Sequence, residues 1–325
     1  MCTAATYSAN NFYFGRTLDN DCSYNEEVVI TPRRYAFDMK FGRPLNTHFA
    51  IVGMAHVESG RPLYYDAVNE HGLCMAGLNF VGNAVYSDRC KDGMDNIAQC
   101  DLMPRILGTC ATAEQAKKLL ARANVTNTPF DDKLHVAELH WIIADSREAF
   151  TVESTASGLH VYDNPVGILT NNPTFPEQMF ALNNYMSLSP KQPHNEFCSD
   201  LPLRTYSNGM GALGLPGDLS SQSRFVRAAF TKTNAALCDC EEKNVTQFFH
   251  ILGSVSQTRG CCIMDNGGEE ITLYTSCCNA DKGIYYYTSY YNSGITAVDM
   301  HRVDLDGCAI VRYKLVNDPS IKYQN

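Results

Sequence analysis

The chain has 325 residues and a formal net charge of −9 at pH 7, a balance that argues against nucleic acid or anionic lipid as the main partner. At 45% apolar and 19% charged residues it has the composition of a globular protein with a real core. The opening Met1-Cys2-Thr3-Ala4-Ala5 lacks the basic and apolar regions of a secretory signal, and no apolar run nears the ~20 residues of a membrane helix, so a cytoplasmic protein without membrane contact is expected.

In chain order, Tyr13 to Leu18, Glu27 to Thr31 and Phe49 to Ala55 read as strands. Leu63 to Val68 and Cys74 to Phe80 follow, joined by the turn Asn69-Glu70-His71-Gly72. Thr112 and Gln115 form a capping box ahead of an apolar helix face of Ala116, Leu119, Leu120 and Ala123. Leu139 to Ala144, Ala149 to Glu153 and His160 to Tyr162 return to strand character. Glu177 to Met186 reads as a helix with Pro176 near its first turn. Ser187 to Asp218 is one long excursion rich in Pro, Gly and Asn. Ser221 to Asn234 and Val245 to Val255 are helical, and Ile271 to Ser276, Gly283 to Tyr291, Ile295 to Met300 and Ala309 to Leu315 are strands. Strands, then helices, then strands predict layered sheets covered by helices without regular βαβ alternation. No repeat, low-complexity tract or linker marks a boundary, so residues 2–325 are expected to form a single domain.

Fourteen cysteines resemble a disulfide or metal inventory, but the chain is too long for a disulfide-stapled scaffold and carries no export signal. Cys261-Cys262 and Cys277-Cys278 are vicinal and Cys238-x-Cys240 lacks zinc-knuckle spacing, so no metal is expected and most thiols are predicted to be small core residues. Gly209-Met210-Gly211-Ala212-Leu213-Gly214 matches the dinucleotide fingerprint, yet it follows a poor strand and runs into Pro216, which breaks any helix; it reads as a loop. The sequons at Asn124 and Asn244 carry no weight in a cytosolic chain. His71 or His140 offers a partner for a thiol, so a Cys–His protease stays open.

Cys2 stands apart from the other thiols. Removal of Met1 would put a thiol and an α-amine on one residue, and the amine, with an ordinary pKa of about 7.7–8.0, is a base matched to neutral pH. The surrounding motifs are similar to those of the choloylglycine hydrolase family, which includes bile salt hydrolases and penicillin V acylases. They are Met1-Cys2-Thr3-Ala4, Tyr13-Phe14-Gly15-Arg16-Thr17-Leu18-Asp19, Asn69-Glu70-His71-Gly72-Leu73 and Ala76-Gly77-Leu78-Asn79-Phe80. They continue with Leu139-His140-Trp141, Thr170-Asn171-Asn172-Pro173, Gly214 to Asp218, Ser223-Arg224-Phe225-Val226-Arg227 and Lys282 to Tyr287.

The resemblance implies the four-layer αββα sandwich of the N-terminal-nucleophile hydrolases, an α+β fold with two antiparallel sheets between helical layers. It implies a homotetramer, with 187–218 as assembly loop, and no cofactor. Its catalytic set falls on Cys2, Arg16, Asp19, Asn79, Asn171 and Arg224. Arg16 and Arg224 would favour thiolate, Asp19 would orient the α-amine, and the Asn171 side-chain amide with the Asn79 backbone N–H would form the oxyanion hole. Asn172 reads as a turn residue.

Asn at position 79 goes with bile salt hydrolases, where penicillin V acylases often carry Tyr. The resemblance therefore implies hydrolysis of glycine- or taurine-conjugated bile salts through a Cys2 thioester. A penicillin V or other N-acyl amide acylase and a bile-acid-binding protein without turnover are the alternatives. The steroid pocket is expected from loops near Leu18 to Tyr24, Val57 to Tyr65 and Phe130 to Leu139, with Leu18, Tyr24, Phe130, Leu134 and Leu139 as wall residues. Glu58 departs from the apolar residue some relatives carry.

Overall fold

The computed structural model describes residues 1–325. It opens with the hairpin β1 (Cys2–Ser8) and β2 (Phe12–Asn20), followed by β3 (Glu27–Thr31), β4 (Ile51–Glu58), β5 (Arg61–Asn69) and β6 (Cys74–Asn79). Next come β7 (Asp95–Ala98), the helices α1 (Leu102–Thr109) and α2 (Ala113–Leu120), and β8 (Ala123–Thr126), which pairs parallel with β7. Strands β9 (Leu139–Ala144), β10 (Ala149–Thr155), β11 (Gly158–Asp163) and the two-residue β12 (Ile168–Leu169) lead to α3 (Phe175–Ala181). Helices α4 (Ser221–Asn234) and α5 (Glu241–Gly253) precede β13 (Ile271–Asn279), β14 (Ile284–Ser289), β15 (Thr296–Asp299) and β16 (Val311–Lys314).

Two antiparallel sheets result. The first runs β12-β1-β2-β13-β14-β15 and the second β11-β10-β9-β6-β5-β4-β3-β16. They face each other where β1 and β2 meet β6 and where β12 meets β9; α4 and α5 cover the first sheet, and α1 packs on β5 and β6 of the second. This is an αββα sandwich of the α+β class. Its inter-sheet core holds Phe14, Val52, Leu78, Ile142 and Tyr274, extended under the helices by Phe225, Phe248 and Leu252. A second core, with Ile106, Leu107, Leu120, Trp141 and Phe150, lies between the other helices and the outer face of the second sheet. Both sheets are therefore buried on both faces across their centres, and β2 and β3 carry nearly continuous buried runs without alternation.

Helix α4 begins where expected because the Ser220 side chain accepts from Ser223 N, a cap that stabilises by about 1 kcal/mol. At α2, Thr112 accepts from the Gln115 amide, but the Gln115 side chain returns to Ala111 N and not to the cap residue, so the predicted box is displaced by one position. Position 15 has to be glycine: a Cβ there would lie 2.0 Å from the Ser276 carbonyl oxygen, so β2 and β13 approach more closely than a side chain allows.

Several expectations need correction. Helix α1 carries Pro104 in its first turn, which hid its apolar face from the pattern. The edge strand β12 and the β7–β8 ribbon are too short to show a period. Thiols are less buried than predicted: Cys2, Cys74, Cys110, Cys277 and Cys278 are buried, whereas Cys22, Cys90, Cys261 and Cys308 are exposed and the rest are intermediate. Those four sit in irregular segments between the strands and helices, where no core reaches them. The glycine triplet at 209–214 forms one short turn of 3-10 helix (Met210–Ala212), and Gly211 packs so tightly on the 189–191 backbone that a Cβ would lie 1.8 Å from the Lys191 oxygen. No helix is long and apolar enough to cross a membrane.

Candidate active site

Cys2 opens β1 at the floor of the inter-sheet space, 2% exposed. The β1–β2 register sets it opposite Leu18 and sets Arg16 opposite Ala4. Because alternate strand residues share a face, Cys2 and Arg16 both approach the second sheet. Arg16 is buried to 1%. Its Nη1 donates to the Gly77 and Tyr65 carbonyl oxygens and its Nε to Thr17 O, at 3.1 Å for the last, while Nη2 has no partner in the protein. Burial opposes its charge, but the neighbouring Cys2, Tyr274, Asp66 and Asp19 hold its pKa above the ordinary arginine value. Asp66 lies beneath it as counter-charge, accepting hydroxyl hydrogens from Tyr274, Ser276 and Tyr285 at 2.6 to 2.8 Å.

Arg224, in the first turn of α4, ties three elements to the nucleophile. Its Nη1 donates to Cys2 O at 2.6 Å and Thr3 Oγ1 at 2.7 Å, and its Nη2 to Asn171 Oδ1 at 2.7 Å. Burial lowers its pKa, partly offset by Asp19 and Cys2; the Asp19 carboxylate lies 3.9 Å from Nη1. Asp19 is buried, and its two oxygens accept from Thr17 Oγ1 at 3.1 Å and Thr272 Oγ1 at 2.6 Å. Desolvation raises its pKa, opposed chiefly by Arg224.

Asn171 follows β12, which reaches this point because Leu169 pairs with Ala4. Its Oδ1 accepts from Cys2 N at 2.8 Å as well as from Arg224, and its Nδ2 donates to Asn79 O at 2.7 Å. These partners fix which end of the amide is nitrogen, and leave its second N–H free. Asn79 ends β6, with its side chain exposed into the cavity mouth.

With Met1 in place, the backbone N of Cys2 engages Asn171 and not the Asp19 carboxylate. Both Asp19 oxygens are taken by threonine hydroxyls, and the bond between Asp19 and residue 1 runs instead through backbone, Asp19 N to Met1 O at 2.9 Å.

The six residues are brought together, and a cavity of about 370 Å³ opens from Cys2, Arg16, Asp19 and Asn79, with Asn171 and Arg224 bonded behind them. Leu18, Tyr24, Phe130, Leu134 and Leu139 all line it, along with Met103 and Trp141, which pattern reading assigned to no site. Trp141 stands in a family motif that gives it no role, and Met103 lies on α1, a helix the sequence pattern does not show. Glu58 does not reach the cavity; its carboxylate turns to His56, 3.5 Å away. A wider depression of about 620 Å³ beside β14 and β15 contains no cysteine, histidine or asparagine.

The histidine partners fail geometrically. His140 is stacked on Phe80 with ring centroids 4.2 Å apart, and its nitrogens engage Glu153 Oε1 at 3.1 Å and Thr170 O at 2.8 Å. His71 packs edge-on against Phe49. Neither lines the cavity at Cys2. Asn172, exposed, donates to Val81 O at 2.7 Å and precedes a cis Pro173, a turn residue with no place in the cavity.

Comparison with known proteins agrees with this geometry. The family model for linear amide C–N hydrolases of the choloylglycine hydrolase family matches residues 2–313. The chain is 49% identical over 315 residues to a bile salt hydrolase/transferase of Lactiplantibacillus plantarum, covering 97% of each chain, and 35% identical to one from Clostridium perfringens over the whole of both. A crystal structure of a variant of conjugated bile acid hydrolase from Clostridium perfringens superposes with a TM-score of 0.93 at 34% identity, covering 100% of both chains. Penicillin V acylase from Agrobacterium tumefaciens shares the fold, with a TM-score of 0.75 at 20% identity over 96% of this chain and 90% of that one. The chain therefore belongs to the choloylglycine hydrolase family, and its sandwich is that of the N-terminal-nucleophile amide hydrolases.

Proposed function

We propose that this enzyme hydrolyses the amide joining a bile acid carboxyl to glycine or taurine, through a thioester on Cys2, after removal of Met1. The observation that carries the substrate is the likeness over 97% of the chain to a relative named bile salt hydrolase/transferase. The cavity supports it: 14 of its 23 lining residues are apolar, as a steroid requires, with Arg16, Asp19 and Asn79 beside Cys2 among the polar ones.

The Cys2 thiolate attacks the amide carbonyl. The free N–H of Asn171 and the backbone N–H of Asn79 stabilise the tetrahedral oxyanion. The Cys2 α-ammonium donates its proton to the leaving nitrogen, the C–N bond breaks, and the thioester remains. Water then gives a proton to the freed amine and adds to the thioester carbonyl, releasing the acid and restoring the thiol. An amine in place of that water would give a new amide, which accounts for the paired hydrolase/transferase names of the relatives. Asp19, held by Thr17 and Thr272, keeps Arg224 charged behind the nucleophile, and the unpartnered Nη2 of Arg16 is available to a bound substrate.

The protein acts as a single cytoplasmic domain assembled into a homotetramer through 187–218. That segment supports the assembly by exposing Phe197 and Tyr206 at more than 80%. Turnover of glycocholate, taurocholate and penicillin V is the deciding assay, with intact mass to verify that the active chain starts at Cys2. The bile conjugates should dominate in kcat/KM, and Cys2→Ala should abolish all turnover. Penicillin V as the best substrate moves the enzyme to the acylase branch; an active chain retaining Met1 removes the amine from the mechanism.

A further inference from the structure

Glu270, at the entrance to β13, is a buried carboxylate that none of the roles above uses. One oxygen accepts from the Met1 ammonium and the other from the Cys262 thiol at 3.5 Å. The ion pair with Met1 is the only one Glu270 makes. The same ammonium donates to the Asp19 carbonyl oxygen at 2.8 Å, and the Met1 carbonyl accepts from Asp19 N at 2.9 Å. Residue 1 thus lies in a slot that offers its cation two buried acceptors.

Bond lengths put the nitrogen of residue 2 about 3 Å from that of residue 1. Once Met1 is gone, the cation nearest to this slot is the new ammonium on Cys2. A buried carboxylate without a counter-charge is costly, so the two groups interact strongly across the place that Met1 held.

We infer that Glu270 is a positioning residue for the Cys2 α-amine, facing it from the β13 side and favouring its charged form, the form that must protonate the leaving group. The inference rests on the reading of that amine as proton carrier. The other charged and titratable groups at this point are Arg16 and Asp19 from β2, Asp66 from β5 behind Arg16, Arg224 from α4, the Cys2 thiol itself, and Cys262 from the segment before β13. The two guanidinium groups oppose a further cation, Asp66 offsets Arg16 and Asp19 offsets Arg224, and Glu270 supplies a negative charge on the side that residue 1 occupies.

The test compares wild type with Glu270→Gln and Glu270→Asp, each verified by intact mass to begin at Cys2, in kcat/KM for glycocholate across pH. The limbs of the profile report the thiol–amine pair in the free enzyme. Loss of the negative charge should move both limbs to lower pH by about one unit, and Glu270→Asp should restore them. Glu270→Ser, smaller and also neutral, gives the same reading should Gln disturb the fold. Limbs unmoved in the neutral variants, with only the amplitude or the melting temperature lowered, overturn the inference and leave Glu270 a structural residue. Retained turnover in Cys2→Ala, in contrast, overturns the mechanism on which it rests.

Discussion

Asn171 serves three partners with one side chain: it receives Cys2 N and Arg224 through Oδ1 and gives one Nδ2 hydrogen to Asn79 O. The remaining hydrogen is the group that a developing oxyanion would use. Its contribution should then appear only in the transition state, so Asn171→Ala is expected to lower kcat by roughly 10²–10³ with KM nearly unchanged. Removal of the same residue also leaves a buried guanidinium short of an acceptor, which costs about 1–3 kcal/mol of stability. Melting curves run beside the kinetics separate the two effects: a destabilised variant with near-normal kcat per folded molecule assigns Asn171 to structure alone. At this scale the identities of the six central residues were legible from the motifs around them. Their partners were not. Thr272 reaches Asp19 only because β13 pairs with β2 across a bulge between Thr272 and Tyr274, and Ser221, which accepts from Asn171 N at 2.8 Å, is joined to it only by the docking of α4. Hydrogen bonds that cross 50 or 250 residues leave no local trace.

Among the elements, the segment from 127 to 138 contributes Phe130 and the run Leu134 to Ala137 to the cavity wall without any regular structure. It is held from outside: Lys40 and Arg61 lie 5.6 and 5.4 Å from the centroid of the Phe130 ring, and Arg61 is itself paired with buried Asp101. Cations over an aromatic face add roughly 0.5–1 kcal/mol at partly exposed sites. Phe130→Ala should therefore loosen the wall and remove apolar contact together, raising KM for glycocholate and taurocholate alike by about fivefold, or about 1 kcal/mol, with their ratio unchanged. A change in the ratio instead would put Phe130 at the amino-acid end of the cavity. The long elements, α4 and the strands from β3 to β6, were readable in the sequence because burial there is strong and their caps and turns agree with it. Helix α1 was missed although six of its eight residues are buried, because Pro104 and Gly108 interrupt the signal that periodicity depends on. Proline near a helix start costs little, as the first amide hydrogens have no partner inside the helix.

Over the whole molecule, several of the large apolar side chains most exposed to water fall on one stretch of the chain. Phe180, Met186, Phe197 and Tyr206 are each at least 75% exposed, and all precede α4 in the long excursion or at its edge. A monomer seldom leaves such a patch uncovered. Light scattering coupled to size exclusion should give a tetramer, and the double variant Phe197→Ser, Tyr206→Ser should shift it to smaller species with the turnover per subunit largely kept. An unchanged mass for that variant would place the contacts elsewhere.

The β1–β2 pairing, finally, has a consequence for anyone who wishes to tether this enzyme. Sliding β1 by one position would turn Cys2 toward the opposite face, and the grip of Arg224 on Cys2 O and Thr3 Oγ1 holds β1 against such a shift. Extra residues at the front cannot be absorbed by slippage and would project from the catalytic centre itself. The opposite end of the polypeptide, 317–325, is exposed throughout and belongs to no strand or helix. Purification handles, surface anchors and fused partners belong there.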